Sequence, residues 1–385
     1  MKFLTLIIFL TSLLQVVFGV NKVQSRIFLI DFNVYYQATK TVYSGINPYN
    51  QAFETVPFNY PPSSFLIFAP FTLFNQNVAQ TIFTLLSLLS LLASSYFLTS
   101  LFPATSNWTM RLLITSAFLQ NFPTKFTLTL GQVNLVVLLL LVLMFFFDQK
   151  KKEVWSGICF GLASMIKLTP IVLGIYFLVQ KRFMALFIGV GILFLSNFLF
   201  IWRIPATASF FQSTLPQLAL QTGSGASLYD QSFRAFLSRI GSVSSSYQIS
   251  LIIVFALIIL SIIKFKKQKN DLVFFSLILA LTTIGSSFTW QHHLVFLFPG
   301  FVAETIYFLK LLTTSDGGPD LIGDSSEVKE LIIRGSLLLL SATLVGYHFP
   351  DIAHPPTTNP FLVSHSLMGT LILVGLLLTH PLHIF

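Results

Sequence analysis

The chain has 385 residues, of which 54% are hydrophobic and 9% charged, against roughly 25% charged in an ordinary soluble domain. A surface so poor in charge excludes a water-soluble globular protein. The net charge of +9 does not point to nucleic acid, because the basic residues form short clusters between apolar runs, as topology signals do. The one cysteine, Cys159, rules out an intrachain disulfide.

Uncharged runs near the length needed to cross a bilayer predict an all-α polytopic membrane protein with about ten transmembrane or re-entrant helices and long outer loops, in one domain over 1–385. Strand-type alternation is absent, which argues against a membrane barrel. Residues 1–20 have a Lys2 flank, an apolar stretch and small residues near Gly19, the pattern of a first membrane helix near 3–20 or of a cleavable signal peptide. Further helices are predicted near 78–102, 109–122, 126–147, 183–202, 248–264, 271–289, 292–310, 331–347 and 362–380. Pro170 disfavours helix at the residue before it, so 154–180 reads as a hairpin of two half-helices broken around Lys167–Pro170. The hairpin also returns Lys181 and Arg182 to the side of Lys150–Lys152 and of the Lys264-Phe-Lys-Lys-Gln-Lys269 run. By the positive-inside rule that side is cytoplasmic. The outer face then receives a first loop at 21–77, a second at 203–247, and the stretches Trp290–His293 and His348–Pro360. Its acids are Asp31, Glu54, Asp230 and Asp351. Residues 313–330 read as a solvated cytoplasmic loop.

The first outer loop carries Asp31-Phe-Asn-Val-Tyr-Tyr-Gln, Ser44-Gly-Ile-Asn-Pro-Tyr49 and Phe58-Asn-Tyr-Pro-Pro62. Phe32, Tyr35, Tyr36 and Tyr43 recur at helical spacing, which predicts a short amphipathic helix on the membrane surface; an interfacial aromatic belt also explains the tyrosines. Asp31 follows the apolar Ile27–Ile30, and a carboxylate at a membrane boundary is desolvated, which raises its pKa and suits it to accept a proton. Gly131-Gln-Val-Asn134 opens a long apolar helix, and Lys167 lies between two hydrophobic half-helices. An ionisable residue at such depth is a functional candidate, here for a phosphate anion, although a lysine snorkelling to the interface is the plain alternative. The second outer loop has Asp230-Gln-Ser-Phe-Arg234 and the next outer turn Trp290-Gln-His-His293. Adjacent histidines point about 100° apart on a helix and are poorly placed to share a metal. Phosphate-loop, dinucleotide and zinc-protease motifs are absent.

In their order along the chain, Asp31, Asn47-Pro48-Tyr49, Tyr60-Pro61-Pro62, Gly131-Gln132-Val133-Asn134, Lys167-Leu168-Thr169-Pro170, Gln231-Ser232 and Trp290-Gln-His-His293 resemble glycosyltransferase family 87, within the GT-C class of membrane enzymes. Gln291 departs from the acid more usual at that turn. The resemblance implies a GT-C-type fold and transfer of a hexose, mannose by family analogy, from a polyprenyl monophosphate to a lipid or glycan acceptor with inversion. The active site would face outward from the plasma membrane, with no metal or cofactor and with membrane lipids as surroundings. It implies Asp31 as base, Lys167, Arg234, His292 and His293 around the donor phosphate, and Tyr35, Tyr49, Tyr60, Gln132, Asn134, Gln231 and Trp290 around sugar or acceptor. The competing class is a transporter or flippase, since broken helices and a buried lysine also mark those proteins.

Overall fold

The computed structural model describes residues 2–22, 28–53, 56–219, 229–241, 245–314, 325–348 and 359–380. Within them the chain is helical apart from a two-stranded antiparallel pair, Ala52–Phe53 with Val56–Pro57. Four helical stretches among the described residues are long and apolar enough to cross a membrane: Gln76–Ser100, Phe183–Arg203, Ser246–Gln268 and Gln291–Leu312. Lys2–Lys22 and Ser325–Gly346 are of similar length but are not among these four, and the other apolar helices are shorter, so these criteria do not reproduce the number of spans expected from the sequence.

The outward faces are those of a lipid-facing protein. Along Phe183–Arg203, Phe187, Phe194, Phe198 and Trp202 form one stripe at helical spacing, each at least 66% exposed. Ile252, Phe255, Ile259 and Ile263, each exposed, form a second stripe on Ser246–Gln268, whose opposite face buries Ser250, Val254 and Ser261. Apolar stripes of this extent belong against hydrocarbon, while small residues inside let helix backbones approach.

Contacts divide the chain into two compact units, where the sequence reading has one domain. One comprises Leu10–Phe97 and Thr124–Gln221. In it the 154–180 hairpin exists as the helix Glu153–Ile166, the 3-10 turn Thr169–Leu173 and the helix Gly174–Gln180. Arg182, just past the second arm, lies 3.2 Å from Asp148 and 3.3 Å from Glu153 at the start of the first. Tyr176 donates a 2.8 Å bond to Asp148. The chain therefore returns to the end at which it entered. Each arm rises about 20 Å, short of a hydrocarbon core about 30 Å thick. The next helix, Phe183–Arg203, runs beside the first arm with Gly157 against Ala185 and Gly161 against Gly189.

The other unit comprises Met1–Phe9, Leu98–Pro123 and Thr222–Phe385. Its centre is Asp271–Gly285, buried on nearly every side and capped by Asn270, which accepts from the Val273 amide. Arg334 joins three helices: its guanidinium lies 3.2 Å from Glu304 and 3.0 Å from Glu330, and donates to the Thr379 carbonyl at 2.6 Å.

Several predicted boundaries change. The run 126–147 is two helices, Phe122–Leu130 and Asn134–Gln149, because Gly131 turns the chain at φ +66°. The first outer loop contains the buried helix Ile30–Tyr43. The helix expected at 271–289 stops at Gly285, and that expected at 292–310 begins with a 3-10 segment, Gln291–Leu297, before Phe298–Thr314. The solvated loop at 313–330 ends earlier, since a helix begins at Ser325. Glu54 and Asp351 lie outside the described residues.

A Cβ at Gly161 would stand 2.8 Å from the Ile192 Cβ and 2.9 Å from the Gly189 carbonyl, while one at Gly191 meets nothing within 4 Å. Gly161→Leu is therefore expected to cost about 1–3 kcal/mol by overpacking, read as a lowered midpoint of thermal unfolding in detergent. Gly191→Leu should leave the midpoint unchanged.

Candidate active site

Two of the sequence motifs converge because residue 131 has no side chain. Leu29, itself at φ 55°, begins the Ile30–Tyr43 helix, and its N–H donates to the Thr129 carbonyl at 2.8 Å. A Cβ on Gly131 would stand 2.8 Å from the Phe32 Cβ. The Gly131–Asn134 turn thus lies directly on the first helical turn, the one that carries Asp31. A non-glycine residue in the left-handed region is uncommon, and Leu29 holds that conformation immediately before the candidate base.

The turn then reaches in two directions. Gln132 is buried, and its Oε1 accepts from the Tyr35 hydroxyl at 2.9 Å and from the Tyr60 hydroxyl at 3.0 Å. The two hydroxyls are 2.8 Å apart. Two residues on, Asn134 Oδ1 accepts from the Lys167 ammonium at 3.1 Å. Asp31 and Lys167 are both half-buried and attract each other electrostatically. Burial raises the Asp31 carboxyl from its ordinary 3.8 to about 6, against the smaller opposing effects of the Gln132 side chain and the Lys167 charge.

Lys167 is placed by the end of its helix. It follows Ile166 in extended conformation, and the preceding turn is held by Ser63, whose hydroxyl donates to the Met165 carbonyl at 2.7 Å. The Ser63 amide donates to Asn197 Oδ1 at 3.1 Å. Tyr60 is held in turn by Tyr49, whose hydroxyl donates to the Tyr60 carbonyl at 2.9 Å, and Tyr49 by the Asn47 cap on its amide at 3.0 Å. Asn33 accepts from Gln76 at 2.9 Å and from Gln80 at 2.7 Å, anchoring the Asp31 helix to the next long helix.

Sequence reasoning missed Ser63, Asn197 and Asn33. The only sign of Asn33 was the polar pair Gln76 and Gln80, one helical turn apart. It also put the tyrosine-bearing helix on the membrane surface. Phe32, Tyr35 and Tyr36 are instead buried, with Tyr35 stacked on Phe68 at 4.5 Å. Of the four aromatics, Tyr43 is the exposed one. The hydroxyls of Tyr35 and Tyr60 and the carbonyl of Gln132, read from sequence as sugar or acceptor contacts, bond to one another.

The remaining candidates belong to the other unit, where Asp230-Gln-Ser-Phe-Arg234 and Trp290-Gln-His-His293 are joined. Asp230 and Trp290 form an antiparallel bridge. Asp230 Oδ1 accepts from the amides of Ser232 at 2.9 Å and Thr289 at 3.0 Å, and its other oxygen pairs with Arg234 at 3.1 Å. Gln231 donates to the Val363 carbonyl at 3.0 Å and accepts from the Ser366 amide at 3.2 Å. Arg234 and Gln231, expected at donor phosphate and sugar, thus have inward structural partners, and both are buried. Trp290 stacks on Tyr229 at 4.9 Å, and the rings of His292 and His293 are edge-to-face at 4.4 Å. His292 is buried, whereas Trp290 and His293 are half-exposed.

The profile of glycosyltransferase family 87 matches residues 58–289. A polyprenol-phosphate-mannose-dependent alpha-(1-2)-phosphatidylinositol pentamannoside mannosyltransferase of Mycolicibacterium smegmatis is 28% identical over 249 residues, which is 63% of this chain and 60% of that protein. The match therefore spans less than two thirds of that relative's length. Among solved structures, ArnT from Cupriavidus metallidurans aligns at TM-score 0.44 both bound to undecaprenyl phosphate and in the apo state. The bound form is 12% identical and the alignment covers 98% of this chain and 76% of that one; the apo form is 13% identical, with 97% and 76% covered.

The Asp230–Arg234 pair has a measurable consequence. Removing one partner of a buried ion pair leaves a charge without compensation, at a cost of about 3–5 kcal/mol. Arg234→Met is expected to lower the unfolding midpoint in detergent sharply, and Arg234→Met with Asp230→Asn to recover part of that loss.

Proposed function

The chain belongs to glycosyltransferase family 87, and we propose that it transfers a hexose from a polyprenyl monophosphate to a hydroxyl of a lipid or glycan acceptor. Mannose is the sugar in this reading, since the mycobacterial relative is named as polyprenol-phosphate-mannose-dependent. The reaction runs at the outer face of the plasma membrane, where nucleotide sugars are not expected and a membrane-borne donor supplies the sugar.

The observation that carries this reading is the single turn from Gly131 to Asn134. It lies against the helical turn that carries the Asp31 carboxyl and bonds the Lys167 ammonium through Asn134. An acid and a cation so placed match the two demands of an inverting displacement. The acceptor oxygen attacks the anomeric carbon as the bond from that carbon to the phosphate oxygen breaks. The acceptor proton passes to the Asp31 carboxylate, and the departing phosphate leaves with the bonding pair. Lys167 stabilises the negative charge that grows on it. With its pKa near 6, Asp31 is mostly ionised at neutral pH yet more basic than a solvated aspartate, the compromise that favours general-base catalysis.

The second unit has a different part in this reading. Asp230 holds its two loops together through the bridge to Trp290 and the Thr289 amide, and Trp290 and His293 on the second loop are half-exposed.

The test is purified full-length protein with synthetic polyprenyl-phosphate mannose, a panel of lipid and glycan acceptors, and Asp31→Asn beside wild type. Wild type is expected to transfer sugar, and the variant, folded by its thermal midpoint, to lose about 10²–10⁴-fold in rate. Because the base must be ionised, kcat/KM should fall about tenfold per pH unit below the carboxyl's value near 6. Equal transfer by the variant would remove Asp31 from the chemistry. Absence of both transfer and donor hydrolysis with every lipid-linked sugar tried would overturn the transferase reading and turn attention to lipid translocation in liposomes.

A further inference from the structure

At the basic end of Ser246–Gln268, the described residues border a cavity of about 320 Å³ lined by Leu260, Ile263, Lys264, Lys267, Gln268 and Leu378. That volume falls in the range of about 300–1,000 Å³ in which small ligands bind. Five of the six residues share one helix at i, i+3, i+4, i+7 and i+8, which places them on a single face. Along that face the chemistry changes with height. Leu260 and Ile263 come first, and Lys264, Lys267 and Gln268 follow, the whole step from Leu260 to Lys267 taking about 10 Å. A lipid of the cytoplasmic leaflet, with its acyl chain nearer the midplane than its phosphate, has the same order.

The cation at the cavity is held in place. The Lys264 ammonium donates to the carbonyls of Leu378 and His380, each at 2.6 Å, and Gln268 donates to the same His380 carbonyl at 2.7 Å. An ammonium has three donors, so two fix Lys264 on the end of the His365–Leu378 helix and one remains for an anion. Residues 246–270 carry four lysines and no acid, while Glu304 and Glu330 are paired with Arg334. Leu260 and Ile263 are 51% and 47% exposed, and Ile263 ends the lipid-facing stripe of this helix. A free phosphate would gain from the lysines alone; a phospholipid uses the apolar wall as well. Ser246, at the far end of the helix, meets Ser238 at 2.7 Å in the second outer loop, about 27 Å along the axis from Lys264. The lysine end is cytoplasmic by the positive-inside rule, and anionic lipids give that leaflet its negative potential.

We propose that this cavity binds an anionic glycerophospholipid of the cytoplasmic leaflet, with the phosphate on Lys264 and Lys267 and the upper acyl chain on Leu260, Ile263 and Leu378. The test is native mass spectrometry of the full chain in detergent, titrated with phosphatidylglycerol and, separately, phosphatidylcholine. Phosphatidylglycerol is expected to bind the more tightly. Lys267→Gln should weaken it about fivefold, the share of one lysine at an anionic surface, and Lys264→Gln with Lys267→Gln further. Leu260→Trp, which fills the cavity without changing charge, should abolish binding. Lys267 and Leu260 are exposed, so these two variants carry the test if Lys264→Gln fails to fold. Lys266→Gln and Lys269→Gln, outside the cavity lining, should leave the affinity unchanged. Equal weakening by those two would show diffuse attraction to a basic patch and overturn the site, as would unchanged binding in Lys267→Gln and Leu260→Trp. Displacement of the lipid by equimolar inorganic phosphate, or tighter binding of polyprenyl phosphate than of phosphatidylglycerol, would overturn the choice of occupant.

Discussion

A backbone approach between residues 129–132 and the first turn of the Ile30–Tyr43 helix is the constraint on which the Asp31 site depends. It needs a glycine twice over. Gly131 adopts a positive φ that side chains disfavour, and a Cβ there would fall within 2.8 Å of Phe32. With the backbones in contact, one turn of four residues lies against the acid's helix on one side and bonds the lysine on the other. The lysine in turn depends on the hairpin. A helix ending inside the membrane must satisfy its last carbonyls within the protein, and the Ser63 hydroxyl on the Met165 carbonyl meets part of that need.

The hairpin also fixes polarity across its unit. Lys167 stands at the tip, and the Asp148, Glu153, Tyr176 and Arg182 cluster at the base. The arms are of matching length, so a cluster at one end determines how far the tip extends. Close glycine packing against Phe183–Arg203 makes this distance hard to change. Precision at the site is therefore inherited from helix packing some 20 Å away, as sites carried on rigid elements generally require.

The sequence made the class of fold legible, because hydrophobic runs and clustered lysines are direct consequences of bilayer dimensions and charge asymmetry. The hairpin was legible for the same reason, since one proline and two basic residues left few ways to thread 154–180. The break at 131–133 was obscured by apolar residues on both sides, whose periodicity continues through it. Tyr35 and Tyr36 were misplaced because aromatic residues at helical spacing suit a membrane interface and a packed interior equally well. What decides between them is the company of Phe68, Phe71 and Phe83, brought in by segments distant in sequence. Arg234 and Gln231 show the same limit from the polar side. Residue type suggested ligand contacts, and the structure pairs the buried Arg234 with Asp230 just ahead of the helix that Arg234 opens.

Burying Asp31 sets stability against function. A carboxyl whose pKa in the folded protein lies near 6, above its ordinary 3.8, binds its proton more tightly folded than unfolded. Its contribution to stability is therefore fully present only below the ordinary value and is lost as pH rises through about 6. At a pH where the carboxyl is ionised, the fold bears the cost of a partly desolvated charge. The neighbouring Lys167 charge and the Gln132 side chain reduce that cost. Tight helix packing elsewhere in the unit supplies the stability that lets such a site persist, which is why the glycine seam and the acid belong to one physical argument.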